Sequence, residues 1–207
     1  LLTGLILDMN SFTGSIPSLT TNTLLNNLNV SSNLLTGSIP SLTTNTALAV
    51  FNINSNNITG SIPSITLNTA LTDFNVSRNA LTGSIPSITS NTSLATFYVN
   101  QNGLTGDIPD LTPLTITGGS FAENSLSTLS STKDSAANTK LNENWSATQT
   151  IAPTNVTATQ SGTDIIVSWD DIEYTSVGTY KVYSSTSQGG PYNTLQGTIA
   201  RNAGHTI

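Results

Sequence analysis

One hexapeptide constrains this chain more than any other feature. Leu35-Thr36-Gly37-Ser38-Ile39-Pro40 recurs with small changes from Phe12, Leu35, Ile58, Leu81 and Leu104, each copy 23 residues after the last. An Asn stands two positions before every copy: Asn10, Asn33, Asn56, Asn79 and Asn102. Each Asn closes a run spaced L-x-x-L-x-L-x-x-N, as in Leu25, Leu28, Val30 and Asn33. A period between 20 and 29 residues with this spacing predicts a solenoid, in which every unit gives one short strand to a shared parallel sheet. The arithmetic requires stacking. About seven apolar side chains per unit contribute roughly 1.5–3 kcal/mol each when buried, while fixing the backbone of the unit costs on the order of 1–2 kcal/mol per residue. A lone unit therefore does not fold.

The units run 2–24, 25–47, 48–70, 71–93 and 94–116. Apolar residues at the fourth and sixth positions of each unit alternate with polar ones, as on a strand with one buried face. The Asn at position nine is expected to turn the chain off the sheet. Its buried amide then bonds the backbone of adjacent turns, forming a ladder of Asn10, Asn33, Asn56, Asn79 and Asn102. In the hexapeptide the same alternation points Leu35, Gly37 and Ile39 inward and Thr36 and Ser38 outward. Glycine is expected there because the backbone passes close to the core. Asn22, Asn45, Asn68 and Asn91 predict a tight turn before the next strand, since Asn tolerates left-handed backbone.

The L-T-G-x-I-P segment, in five in-phase copies, resembles the second strand of the plant-specific subclass of leucine-rich repeats, and the resemblance covers residues 2 to about 116. Its unit is one residue longer than the 23 found here, so a regular convex helix is not expected. Combinations of this kind in bacterial surface adhesins and phage or virion fibres suggest a surface protein of that style. The resemblance also implies that partners bind the concave sheet.

Residues 118–150 lose the period and read as a C-terminal cap and linker, with a short helix around 133–142 and Leu126, Leu129, Leu141 and Trp145 available to cover the core. From Ala152 the texture changes. P-x-N-V-T-A, I-x-V-S-W, Y-K-V-Y-S-S and G-P-Y resemble the first half of a fibronectin type III domain, with Trp169, Tyr180, Val182 and Tyr192 at its core positions. The expected fold class is mostly β: a leucine-rich repeat solenoid over 1–117 and an incomplete β-sandwich over 151–207. Residues 152–207 alone are then expected to be unfolded or oligomeric, since half a sandwich leaves an open edge.

Composition closes several functional classes. Charged residues are 8% and the net charge is −6, whereas Ser, Thr and Asn make up 88 of 207 residues. Five basic residues cannot neutralise a run of phosphates, so nucleic acid is not an expected partner. Cysteine is absent, which removes disulfides, thiolate nucleophiles and Cys-bound metals. No leader and no apolar run long enough for a membrane span is visible, and the chain enters directly into a repeat, as a piece of a longer protein would. His205 is the single histidine, so neither a His-based triad nor an H-E-x-x-H zinc site is available and no enzyme or cofactor is expected. Asp107 with Asp110, and Asp170 with Asp171 and Glu173, are the acid groupings that calcium would use, though solvated loop acids are the simpler reading. Sequons begin at Asn29, Asn57, Asn75, Asn91, Asn144 and Asn155, about the number this composition gives by chance.

The outward columns of the strand sheet carry the expected binding site. They place Tyr98, Arg78 and Asp73 near its C-terminal end, with Asn52, Asn75 and Asn100 beside them, and Tyr and Arg are frequent binding anchors. The leading reading is a non-catalytic recognition or adhesion module binding a protein or glycan, at an extracellular, cell or virion surface. Its alternatives are a structural component that packs on copies of itself or a larger assembly, and ice binding through Thr13/Ser15, Thr36/Ser38, Thr59/Ser61 and Thr82/Ser84.

Overall fold

The computed structural model describes residues 2–127, 130–149, 154–161, 164–170, 179–184 and 194–200. The chain divides into two compact units, Leu1–Thr150 and Ile151–Ile207. The first carries ten short strands: β1 (Gly4–Ile6), β2 (Asn27–Asn29), β3 (Val50–Asn52), β4 (Thr59–Gly60), β5 (Asp73–Asn75), β6 (Ala80–Gly83), β7 (Thr96–Tyr98), β8 (Gly103–Asp107), β9 (Gly118–Ser120) and β10 (Ser125–Ser127). They form two parallel sheets. One has six strands in the order β1-β2-β3-β5-β7-β9, the other four in the order β10-β8-β6-β4. The first unit is thus a mostly β, parallel-sheet leucine-rich repeat solenoid.

The four inner strands of the larger sheet bury their middle residue. Leu28, Phe51, Phe74 and Phe97 are fully buried, and their strand neighbours are half-buried. The strands stop after three residues because the backbone turns left-handed soon after: Met9, Ser32, Ser55 and Arg78 have φ 54° and Gln101 has φ 56°. Outside glycine such a conformation costs on the order of 1–2 kcal/mol. The Asn that follows holds the turn closed. Asn56 Nδ2 donates to Ile53 O at 3.1 Å and, one unit back, to Val30 O at 3.0 Å, while its Oδ1 accepts the Leu35 N–H at 2.9 Å. The same set recurs at Asn33, Asn79 and Asn102. Asn10 is exposed and bonds only its own turn, at Leu7 O and Asp8 O. Asn124 adds a further rung, fully buried, accepting the Leu104 N–H at 3.0 Å.

In the hexapeptide Leu35 and Ile39 are buried and Thr36 and Ser38 exposed, but the expectation for glycine needs correction. Gly37 is exposed and does not approach the core. Gly14, Gly37, Gly60, Gly83 and Gly106 have φ between 77° and 85°, which glycine adopts without a steric penalty. A Cβ on Gly37 would also meet Ser15 Cβ at 3.0 Å. The backbone conformation, not burial, selects the residue.

A second correction concerns Asn45, Asn68 and Asn91. The turn is present, with Leu48 N–H donating to Asn45 O at 3.1 Å, yet none of the three has positive φ. They are fully buried and form a ladder of their own: Asn68 Nδ2 donates to Leu42 O at 3.0 Å and Asn45 O at 2.9 Å. Asn45 and Asn91 repeat these bonds. Asn is required here as a donor between units.

After β9 the chain builds an end for the core. The α-helix α1 (Ser131–Leu141) starts at Ser130, whose side chain accepts the Lys133 N–H, and ends at Asn142 with φ 52°. It starts two residues and ends one residue earlier than the sequence suggests. Leu141 packs where Gly119 lacks a side chain: a Cβ on Gly119 would lie 2.8 Å from Leu141 Cδ2 and 2.3 Å from Phe97 O. Leu126 and Trp145 are also buried, and Trp145 Nε1 donates to Asp134 Oδ1 at 2.9 Å. Leu129 lies outside the described residues.

In the second unit β11 (Thr154–Ser161) pairs antiparallel with β12 (Asp164–Asp170), and β13 (Thr179–Ser184) with β14 (Thr194–Ala200). Among the described residues these are two separate two-stranded sheets. The resemblance to a fibronectin sandwich gains no support from them. Tyr192, Asp171, Glu173 and His205 lie outside the described residues.

Candidate functional site

The site is the outward side of the six-stranded sheet, and register decides which residues meet. Asp73 pairs with Thr96, and Asn75 with Tyr98, across β5 and β7. Asn52 pairs with Asn75 across β3 and β5. Tyr98 is half-buried, and its hydroxyl lies 3.4 Å from where a Cβ of Gly118 would be. Glycine on β9 is what leaves room for the ring to lean over that strand.

Asp73 is engaged rather than free. Its two carboxylate oxygens accept the hydroxyls of Thr72 at 2.7 Å and Thr96 at 2.8 Å. The acid therefore orders the floor of the patch, and a ligand reaching it must share those oxygens. Arg78 occupies a left-handed position beyond β5 and is exposed. Its Nε donates to Gln101 Oε1 at 2.6 Å, and Gln101 Nε2 donates to both oxygens of Glu123 at 3.1 Å. Sequence reasoning missed this relay because Glu123 follows Gln101 by 22 residues rather than 23. Asn100 is half-buried at the next outward position.

Asp107 and Asp110 each have partners of their own. Asp107 Oδ2 accepts from Lys133 Nζ at 2.5 Å. Asp110 accepts both the hydroxyl of Thr112 at 2.6 Å and its N–H at 2.8 Å; the hydroxyl first, then the N–H, hold its carboxyl below the ordinary aspartate value. Among the described residues no group of three or more His, Cys, Asp or Glu is placed to hold a metal ion. No helix among them is long and apolar enough to cross a membrane.

The second sheet presents a different chemistry. Thr36, Thr59, Thr82 and Thr105, with Ser15, Ser38, Ser61 and Ser84, are all exposed. Thr36 and Thr59 hydroxyls donate to the Gly14 and Gly37 carbonyls at 3.2 and 3.1 Å.

Together, the two parallel sheets and the two Asn ladders define a leucine-rich repeat solenoid. The chain is similar to PEPR1 in its structure with AtPEP1, at 33% identity and a TM-score of 0.58 over 61% of this chain and 19% of that one. It is similar to the plant peptide hormone receptor RGFR1 in complex with RGF2, at 32% identity and a TM-score of 0.51 over 60% and 25%. A plant ice-binding protein matches at 28% identity and a TM-score of 0.54 over 61% and 43%. The chain spans less than half the length of each of these. No family model and no curated protein matches it. These findings overturn the bacterial or phage surface-protein attribution: the resemblance runs to plant receptor ectodomains.

Proposed function

We propose that this chain is the non-catalytic recognition portion of an extracellular protein, with its ligand seated on the six-stranded sheet across Asp73, Asn75, Arg78, Tyr98 and Asn100. The observation that carries this reading is Tyr98, a half-buried aromatic leaning over Gly118 beside the polar groups of Asp73, Asn75 and Thr96. A large rigid side chain with a polar tip, ringed by ordered polar groups, is how binding anchors are built. The similarity to PEPR1, solved with AtPEP1, and to the plant peptide hormone receptor RGFR1, solved with RGF2, supports ligand recognition. The test is affinity against a panel of secreted peptides, proteins and soluble oligosaccharides. Tyr98→Ala and Arg78→Ala should each weaken the hit by roughly 1–2 kcal/mol or more with Tm nearly unchanged, while Ser38→Ala and Ser61→Ala do neither. Loss on the serine side alone moves the site to the second sheet.

The hydroxyl columns of that second sheet favour one other reading, ice binding. At its first two steps the register sets Ser15 against Thr36 and Ser38 against Thr59, hydroxyl beside hydroxyl, and the similarity to a plant ice-binding protein supports it. Asp107, paired with Lys133, breaks the serine column. Absence of thermal hysteresis in the purified chain removes this reading.

A further inference from the structure

Asn29, Asn52 and Asn75 stand in register on β2, β3 and β5, and Tyr98 continues the row on β7. In all three amides the oxygen is committed. Asn29 Oδ1 accepts the Ser31 N–H at 3.2 Å and its hydroxyl at 2.8 Å. Asn52 Oδ1 accepts the Asn54 N–H at 3.2 Å. Asn75 Oδ1 accepts the Ser77 N–H at 3.1 Å and its hydroxyl at 2.7 Å. A backbone N–H can only donate, so the amide oxygen must face it, and the NH2 group is what remains for a ligand. Among the described residues none of the three Nδ2 groups donates to a protein acceptor. The result is a row of three fixed donors, one from each of three consecutive repeat units, followed by an aromatic ring in the next.

The repeat distance of the row selects its ligand. Neighbouring strands lie about 4.8 Å apart, while an extended peptide presents same-face carbonyls two residues, roughly 6.6 Å, apart. Over two strands the mismatch reaches about 3.6 Å, more than a hydrogen-bond length. An extended β-linked pyranose chain advances about 5 Å per sugar, within a few tenths of an ångström of the strand spacing. Every sugar carries oxygen acceptors on both ring edges, so the row stays matched even when successive rings flip. Charge agrees. Arg78 is the only basic residue in positions 1–127, too little for an acidic polysaccharide.

We propose that the Asn29–Asn52–Asn75–Tyr98 row binds a neutral, linear, β-linked polysaccharide at one sugar per repeat unit, with Tyr98 stacking on a terminal ring. This rests on the concave-sheet reading above and names its ligand class. The experiment is calorimetric titration of the full chain with cellohexaose and with chitohexaose. The wild type should bind at least one of them. The Asn52→Asp/Asn75→Asp variant keeps both acceptor oxygens but removes the donors, and should bind at least tenfold more weakly. Asn57→Asp, on an exposed residue outside the row, should bind as the wild type does. No binding of either sugar at millimolar concentration, equal binding by the double variant, or equal loss in Asn57→Asp overturns the assignment. If the sugars fail but a peptide or protein hit is weakened by the double variant, the recognition surface stands and only the glycan class falls. If no hit responds to any substitution on this sheet, both fall.

Discussion

In the repeats, Phe51, Phe74 and Phe97 stack with centroids 5.4 and 5.6 Å apart and ring planes 16° and 27° from parallel. At the C-terminal end Gly119 stands in register with Phe97, and the ring contacts pass out of the column to Phe121 and Trp145. Phe97 meets Phe121 at 87°, and Phe121 meets Trp145 at 82°, with centroids 6.0 and 6.1 Å apart. The hydrogen bonds show the same contrast. Asn33, Asn56, Asn79 and Asn102 repeat one pattern, whereas beyond Asn124 the next place is taken by Gln149, whose Oε1 accepts the Leu126 N–H at 3.0 Å and whose Nε2 donates to Phe121 O at 3.0 Å. Translation by one unit lets identical side chains satisfy one another, while an end must close the same core with unlike groups. What the end conserves is the set of backbone partners.

This contrast can be tested from its strongest element downward. Phe74→Ala and Trp145→Ala should each cost about 3–5 kcal/mol, but in different ways. A solenoid couples nearest neighbours, so Phe74→Ala should weaken hydrogen-exchange protection on both sides, and Trp145→Ala should chiefly open residues 118–149. Identical exchange patterns for the two would erase the distinction between repeat and end. Next, Gly119→Ala forces a Cβ against Phe97 O and should cost roughly 2–3 kcal/mol. Gly106→Ala meets nothing closer than 3.6 Å and should cost only the left-handed backbone, about 1 kcal/mol; denaturant midpoints rank the pair.

Within the repeats, Asn56→Ala should cost about 1–3 kcal/mol, because backbone groups lose their partners in the interior. Asn57→Ala, at an exposed position, should stay within about 0.5 kcal/mol. Equal melting shifts would remove the ladder as a source of stability. The smallest effect belongs to Asp110. Its folded pKa is lowered by Thr112, so its contribution is present above the ordinary aspartate pKa and fades as pH falls through the folded value. Thr112→Ala should raise the pKa of Asp110, read by NMR titration, with little change in Tm.

Much of the repeat region was legible because each unit repeats the experiment. Five copies of one spacing identify the buried columns of Leu28, Phe51, Phe74 and Phe97, and Asn at the ninth position announces a ladder before any coordinate is known. The terminal turn was less legible. Gly119 reads as a loop residue until Leu141 is seen filling its place, and Glu123 sits one residue out of phase with the relay it completes. The candidate site divides similarly. Its columns follow from strand alternation, but nothing in the sequence shows that Thr72 and Thr96 occupy the oxygens of Asp73, or which atom of Asn52 faces outward.

By itself, then, the sequence determined the solenoid, its parallel sheet and the low-charge surface that bears on its partners, because those depend on period and composition alone. Tertiary structure decided why glycine recurs in the hexapeptide, how the core is closed and which polar atoms remain for a ligand. Backbone angle, contacts between residues more than twenty positions apart and the direction of each hydrogen bond set those outcomes, and no local spacing encodes them.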